Sequence, residues 1–173
     1  PNGNILYINS LPNRNKDGYW IFINNINFTD TIYSFEFKGS GPGMLNKHSF
    51  VLPYNNGFFY SLCFSNDGKS AFQFANAPPA VTKGDFLIKY SFDNLTGAFG
   101  NYKIIDTVFY NFPNDYVSFS QNDSFIYSIV YIAGGIFLAQ YNTLSYSRSL
   151  YPLDKKYFYT LLNTCPNNKV HFL

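Results

Sequence analysis

The stretch KGDFLIKYSFDNLT, residues 83–96, carries the pattern that decides the fold. A turn glycine is followed by a short apolar run, an alternation of aromatic with polar residues, and an Asn-Leu-Thr turn. Alternation with a period of two is typical of a half-buried β-strand. Two other stretches look like loose copies of it, DGYWIFINNINFT at 17–29 and GGIFLAQYNTLS at 134–145. The sequence therefore predicts a repeated unit of strands and turns.

Aligning the three stretches brings Gly18, Gly84 and Gly135 to one position, each at the start of a predicted strand. Each stretch is preceded by a second turn-and-strand element, and a further copy of that element closes the chain: PNGNILYIN at 1–9, SNDGKSAFQFAN at 65–76, SQNDSFIYSIVYIA at 120–133 and CPNNKVHFL at 165–173. The predicted unit is strand, Asn/Asp-rich turn, strand, Gly-containing loop, strand, turn and fourth strand. TIYSFEFKG at 31–39 and NYKIIDTVF at 101–109 are read as fourth strands. On this alignment the chain begins with the second strand of a unit.

The spacing of the units is that of propeller blades. The Asn/Asp turns that begin at Ser65, Ser120 and Cys165 are about 55 and 45 residues apart. A single four-stranded meander cannot bury both of its faces, whereas radial stacking of such meanders does. The unit resembles the "SxDGxxhhh...Gxhhhhdxxtg" blades of WD-like and YVTN-like β-propellers. That resemblance implies an all-β fold of about three four-stranded antiparallel blades, a fragment of a propeller, with approximate units 1–58, 59–112, 113–157 and a partial unit 158–173.

Two other architectures remain open at this point. Propellers close with four to eight blades, so about three units also suit an immunoglobulin-like β-sandwich in which NAPPAV at 76–81 is a linker or long loop. The uncharged segment 124–147 approaches the length of a membrane helix. Its central Gly134-Gly135 pair and its Ile, Val and aromatic content instead favour two strands joined by a tight turn.

Composition bounds the class of protein. Apolar residues make up 46% of the 173 and charged residues 13%, which excludes a disordered chain. The 20 Phe and 16 Tyr favour strands over helices. The net charge of +2 arises from scattered basic residues, so we expect no nucleic-acid partner, and any membrane attachment would come from segments outside this chain.

Few residues suggest catalysis or metal binding. His48 and His171 are the only histidines; we expect His48 in an exposed loop and His171 at an outward strand position. The Asp residues fall at turn positions, where Asp usually caps its own backbone. Neither a metal site nor a cofactor is predicted, because no ligand spacing is present. Cys63 and Cys165 lie too far apart in the predicted alignment for a disulfide.

Tyr and Asn side chains in the predicted loops suit recognition, since they combine stacking faces with amide hydrogen bonds. The binding residues predicted on this basis are Tyr54, Asn55, Asn56, Tyr110, Asn111 and Tyr116. Three Asn-x-Ser/Thr triplets, at Asn27, Asn94 and Asn122, are candidate glycosylation sites.

These observations predict a non-catalytic recognition or adhesion domain at the cell surface or outside the cell, with a protein or glycan ligand. The composition is similar to that of amoebozoan surface proteins built from immunoglobulin-like repeats. The alternative is a propeller-fold enzyme such as a glycoside hydrolase. Clustering of the Asp residues at one mouth of the fold would favour the enzyme, and their dispersal over outer turns would favour the recognition domain.

Overall fold

The computed structural model describes residues 6–25, 31–43, 45–49, 58–76, 85–108, 117–154, 162–164 and 170–172. Within these ranges the chain forms β-strands and turns and no helix. Sheet 1 contains β1 (Leu6–Pro12), β2 (Gly18–Asn25), β3 (Thr31–Lys38), β4 (Gly41–Pro42) and β5 (Asn46–Ser49). Sheet 2 contains β6 (Phe58–Phe64), β7 (Ser70–Asn76), β8 (Asp85–Asp93) and β9 (Ala98–Val108). Sheet 3 contains β10 (Val117–Phe119), β11 (Phe125–Ile132), β12 (Gly135–Asn142) and β13 (Arg148–Leu153), and sheet 4 pairs β14 (Leu162–Thr164) with β15 (Val170–Phe172).

Each sheet is antiparallel, and in sheets 2, 3 and 4 every strand pairs with the next one along the chain. In sheet 1, β4 and β5 pair with successive parts of β3, so together they act as its fourth strand. The first strands of neighbouring sheets lie against one another: β6 contacts β1 and β10, and β10 contacts β14. The sheets therefore stack in series with their first strands on a common side.

Sheet 2 is buried on both of its faces. Its even-numbered β8 side chains, such as Ile88 and Phe92, pack with Trp20 and Phe22 of sheet 1. Its other face presents Leu87 to a second core shared with sheet 3. Leu87 and Ile88 are neighbours on one strand, yet their side chains are 0% and 1% exposed. A strand buried on both faces replaces the usual alternation with a continuous apolar run, which explains FLI at 86–88.

Three turns between first and second strands share one geometry. The residue that opens the turn bonds its backbone N–H to the carbonyl five residues on: Asn13 to Gly18 at 3.0 Å, Ser65 to Ser70 at 2.9 Å and Ser120 to Phe125 at 2.8 Å. The fourth turn residue has positive φ in each case, namely Lys16, Gly68 and Asp123. The opening side chains are all buried. This equivalence establishes the repeat within the described residues.

The structure corrects the predicted alignment of the first unit. Gly18 begins β2, a second strand, whereas Gly135 begins the third strand β12. The first described strand, β1, is the first strand of its sheet rather than the second. TIYSFEFKG contains the third strand β3, and the fourth strand of that sheet, β4 with β5, is absent from the prediction. The error arises because both kinds of turn place Asp or Lys with Gly before an apolar strand.

The apolar segment 124–147 forms the predicted hairpin, β11 and β12 joined by a turn at Ala133 and Gly134. Ile126 and Val130 are buried against sheet 2, and Ile129 is buried on the opposite face. No helix among the described residues is long and apolar enough to span a membrane. The described strands form a series of sheets, so the two-sheet sandwich is not the architecture of this chain.

Candidate functional site

Turns of sheets 1 and 2 enclose a cleft of about 200 Å³, here named the inter-sheet cleft. Its wall combines two basic side chains, two carboxylates, an amide, an aromatic ring and a glycine: Arg14, Lys69, Asp67, Asp93, Asn94, Phe92 and Gly68. Arg14 comes from the β1–β2 turn, Lys69 from the β6–β7 turn and Asp93 from the start of the β8–β9 turn. The cleft therefore gathers charged groups from two sheets.

Asn94 holds the two sides of the cleft together. Its carbonyl oxygen accepts hydrogen bonds from the Trp20 indole N–H at 2.9 Å and from the Arg14 backbone N–H at 3.4 Å. Its side-chain Nδ2 donates to the Pro12 carbonyl at 3.1 Å. Gly97 lies against the same indole, and a Cβ there would come within 2.5 Å of the ring. These contacts fix the position of the turn that carries Arg14 relative to sheet 2.

Both carboxylates of the cleft are ordered by their own turns. For Asp93, hydrogen bonds from Thr96 Oγ1 at 2.7 Å and Leu95 N at 2.9 Å lower the pKa of the carboxyl, and Arg14 lowers it further. Burial opposes ionisation of Asp67, but hydrogen bonds to its Oδ1 from Ser65 Oγ at 2.7 Å and Lys69 N at 3.0 Å outweigh it and lower the pKa. Both groups are carboxylates at neutral pH.

Four of the Asp residues lie in turns at this same end of the sheets: Asp17, Asp67, Asp93 and Asp123. Asp123 joins sheet 3 to sheet 2, because its Oδ1 accepts from Asn66 N at 2.9 Å and Asn66 Nδ2 at 2.8 Å, and its Oδ2 accepts from Asp67 N at 3.1 Å. Four of the seven Asp residues that the structure describes thus lie at this end, whereas Asp85, Asp106 and Asp154 lie elsewhere, so the positions of the Asp residues do not by themselves separate an enzyme from a recognition domain.

His48 does not lie in an exposed loop, and that expectation is wrong. It occupies strand β5, half-buried, with its ring 5.1 Å from that of Phe99. Its Nε2 is 2.8 Å from Ser34 Oγ, and Ser34 is fully buried. Burial lowers the pKa of His48. The pair lies in the packing between sheets 1 and 2, and neither residue lines the inter-sheet cleft.

The binding residues predicted from sequence, Tyr54, Asn55, Asn56, Tyr110, Asn111 and Tyr116, all lie outside the described residues, as do Asn27 and Cys165. Their roles, and the protein or glycan ligand that they imply, stay predictions. Asn122 is exposed in the β10–β11 turn, while Asn94 is half-buried at the cleft. Burial raises the pKa of the Cys63 thiol. In the part of the chain that the structure describes, no three His, Cys, Asp or Glu side chains converge to hold a metal.

Solved structures match nearly the whole chain. A protein of Bacteroides uniformis assigned as a 6-phosphogluconolactonase superposes with a TM-score of 0.58 at 16% identity, over 95% of this chain and 46% of its own. A protein of Bacteroides fragilis with the same assignment superposes with a TM-score of 0.53 at 11% identity, over 82% of this chain and 36% of its own. The periplasmic gluconolactonase of Pseudomonas aeruginosa superposes with a TM-score of 0.51 at 12% identity, over 84% of this chain and 38% of its own.

The fold is that of a β-propeller. This confirms the predicted class, with three four-stranded antiparallel sheets as its blades. The chain spans less than half the length of each of these structures. No protein-family model and no curated protein sequence matches it. The resemblance of the units to WD-like and YVTN-like blades in particular stays a prediction.

The comparison contradicts the expectation that the chain is not an enzyme, since the three structures named above are described as lactonases. Arg14 and Lys69 were not predicted from the sequence as site residues, because nothing in the sequence shows that they lie beside the turn carboxylates. The feature that could have indicated these two residues is the equivalence of the turns that begin at Asn13 and Ser65. Equivalent turns place Arg14 and Lys69 at the same end of adjacent blades.

Proposed function

We propose that this chain forms part of a propeller-fold hydrolase that opens the ring of a sugar-acid lactone. The observation that carries the proposal is the likeness of fold to 6-phosphogluconolactonases over 95% of the chain. At 16% identity this likeness is one of fold, and function depends on the site built on the fold. The chemistry of the inter-sheet cleft provides the second support.

Lactone hydrolysis needs a base and oxyanion-stabilising groups near the acyl carbon. A base takes a proton from water as its oxygen bonds to the carbonyl carbon, and positive or N–H groups stabilise the oxyanion that forms. The bond between the carbonyl carbon and the ring oxygen then breaks, and the alkoxide that leaves takes the proton that the base removed from water. The products are a carboxylate and a hydroxyl, so no cofactor or oxidant is needed.

The cleft offers groups of these kinds. Asp67 is ionised, and while its Oδ1 is held by its own turn, its Oδ2 lies 3.9 Å from Lys69 Nζ. We assign Asp67 as the base and Arg14 with Lys69 as the cationic groups that stabilise the oxyanion. Both carboxyl oxygens of Asp93 are engaged within its own turn, so Asp93 serves to orient that wall of the cleft. The volume of about 200 Å³ is below that of typical ligand pockets, about 300–1,000 Å³, so the cleft can hold only a small molecule.

The experiment is a substrate comparison on the natural protein that contains this chain. Acid release from glucono-lactone and 6-phosphogluconolactone is followed at mildly acidic pH, and p-nitrophenyl glycosides test the glycoside hydrolase alternative. We expect lactone opening above the uncatalysed rate and no glycoside cleavage. Absence of lactone opening, or cleavage of a glycoside instead, would contradict the proposed reaction.

Site variants test the assignment of residues separately from the reaction. Asp67→Asn is expected to lower kcat/KM about 100-fold or more, because it removes the base. Lys69→Met is expected to lower kcat more than it changes KM. The control Lys47→Met removes an exposed lysine of β5 and is expected to leave both constants unchanged. Wild-type activity in Asp67→Asn would exclude the cleft as the catalytic site while leaving the reaction itself in place.

We also propose an extracellular location, which rests on the glycosylation triplets. Asn122 supports it because its side chain is exposed in a turn. Asn94 fits less well, because its Nδ2, the atom to which a glycan would attach, donates to Pro12. Mass spectrometry of peptides from native material should find glycan at Asn122; unmodified Asn27, Asn94 and Asn122 would remove the support for secretion.

A further inference from the structure

Two lysines lie directly opposite each other where sheet 2 meets sheet 3. Lys89 on β8 and Lys103 on β9 are cross-strand partners in the register of the sheet. Residues in this relation point to the same face with their Cβ atoms close together, and like charges so placed destabilise a sheet. Among the described residues neither ammonium has a carboxylate oxygen within 4 Å.

Both ammonium groups converge on one aromatic ring. Lys89 Nζ is 5.5 Å and Lys103 Nζ 4.8 Å from the ring centroid of Tyr146, in the β12–β13 turn. Their separation therefore cannot exceed about 10 Å, the range over which charges still repel at 0.1 M salt. The ring attracts each cation, but it supplies no negative charge to neutralise the pair.

The hydroxyl of Tyr146 adds a third donor. Lys89 Nζ donates to this oxygen at 3.2 Å, so the phenolic proton remains available to donate to a ligand. The Lys89 ammonium also lies over the ring of Phe72, 5.7 Å from its centroid. Two ammonium groups and one hydroxyl thus lie around the ring of Tyr146, at the edge between the two sheets.

The backbone of Tyr146 is held in an unfavourable conformation. Its φ of 58° lies in the left-handed region, which bulky residues rarely adopt. In the equivalent turn of sheet 2 this position is Gly97, with φ 69°. The two turns match in their hydrogen bonds, since Gly97 N donates to Asp93 O at 2.8 Å and Tyr146 N to Asn142 O at 2.9 Å. A tyrosine where glycine fits without strain points to a role for its side chain.

The carboxylates near Lys89 and Lys103 form ion pairs with other basic side chains. Asp106, also on β9, is bound to Arg148 at 2.8 Å. Asp67 is close enough for Lys89 to contribute to lowering the pKa of its carboxyl, yet its own ion pair is with Lys69.

We propose that Lys89, Lys103 and Tyr146 form an anion site for a phosphate group, either free or carried by a phosphorylated metabolite. Two ammonium groups and a hydroxyl match the three terminal oxygens of a phosphate, for which lysine acts as a point-charge ligand. The site does not require the proposed lactonase reaction, because none of its three residues lines the inter-sheet cleft.

Thermal unfolding of the full chain tests the site, with inorganic phosphate titrated against chloride at constant ionic strength. We expect the midpoint of the wild type and of Lys47→Met to rise with phosphate. Lys103→Met, which keeps the aliphatic stem, should bind phosphate at least tenfold more weakly, and Tyr146→Phe several-fold more weakly. Tighter binding of glucose 6-phosphate than of phosphate would identify the metabolite as the source; equal affinity would identify the free anion.

The same variants exclude a purely structural role for the lysines. If the site exists to bind an anion, Lys103→Met in chloride should unfold at an equal or higher temperature than the wild type, because one of two opposed charges is gone. A lower midpoint in chloride would show that the lysines stabilise the sheets themselves and would overturn the proposal. A wild-type midpoint that does not depend on phosphate, or phosphate affinity retained within twofold in Lys103→Met, would also overturn it.

Discussion

Truncating two adjacent residues of β8 should be equally damaging, although their side chains point in opposite directions. Leu87 packs in the core shared with sheet 3, and Ile88 in the core shared with sheet 1. Both are essentially unexposed, so Leu87→Ala and Ile88→Ala each remove buried methyl groups and leave a cavity. Such changes cost about 2–5 kcal/mol of unfolding free energy.

Leu144 provides a control with the same chemistry, because its side chain is 89% exposed in the β12–β13 turn. Leu144→Ala should change the unfolding free energy by less than about 0.5 kcal/mol.

Urea unfolding measures these costs, followed by circular dichroism and by the fluorescence of Trp20, the only tryptophan. Trp20 lies in the core between sheets 1 and 2, so coincident transitions from the two probes would support a single cooperative unit. A sheet with one solvent-exposed face would give one large and one negligible cost. Such a result for Leu87 and Ile88 would refute the stacked arrangement.

Three further predictions concern the contacts between sheets and the buried histidine. Gly97→Ala should destabilise the chain by about 1–3 kcal/mol and shift the Trp20 emission, because the new Cβ meets the indole ring. The control in the same urea assay is Gly39→Ala, whose Cβ would have no atom within 4 Å. Asp123→Ala should cost about 1–2 kcal/mol, since it removes three hydrogen bonds between sheets 2 and 3, and equal stability would exclude a role for that network. Burial lowers the pKa of His48 in the folded state, so the unfolded chain takes up the proton first as the pH falls. The free energy of unfolding should therefore decrease as the pH drops below about 6.5. His48→Gln should lose this part of the decrease, and an unchanged pH profile would contradict the role given to His48.

The repeated strands could be predicted because their signals are local. The hairpin of β11 and β12 follows from its alternation and its Gly134-Gly135 turn. The register of the first unit could not be read in the same way, because Asp17-Gly18 looks like Lys83-Gly84 although the two dipeptides precede different strands of their units.

The candidate site depends on contacts that a single sequence does not reveal. Arg14 and Asn94 are far apart along the chain and meet only because sheet 1 stacks on sheet 2. The strand that contains His48 was not predicted, because β5 has the sequence NKHS and shows no alternation of apolar with polar residues. The pairing of Lys89 with Lys103 likewise follows from strand register, which includes an irregularity between Leu87 and Ile88.

The most direct test of the stacked sheets is an aromatic NOE experiment on the selectively labelled chain in solution. Phe22 of sheet 1 and Phe92 of sheet 2 have ring centroids 5.6 Å apart, and Phe72 of sheet 2 and Phe119 of sheet 3 have centroids 5.2 Å apart. The stacked sheets should give NOEs within both pairs in the same sample. An NOE in one pair and none in the other would mean that sheet 2 packs on one face only, and the propeller arrangement would be wrong.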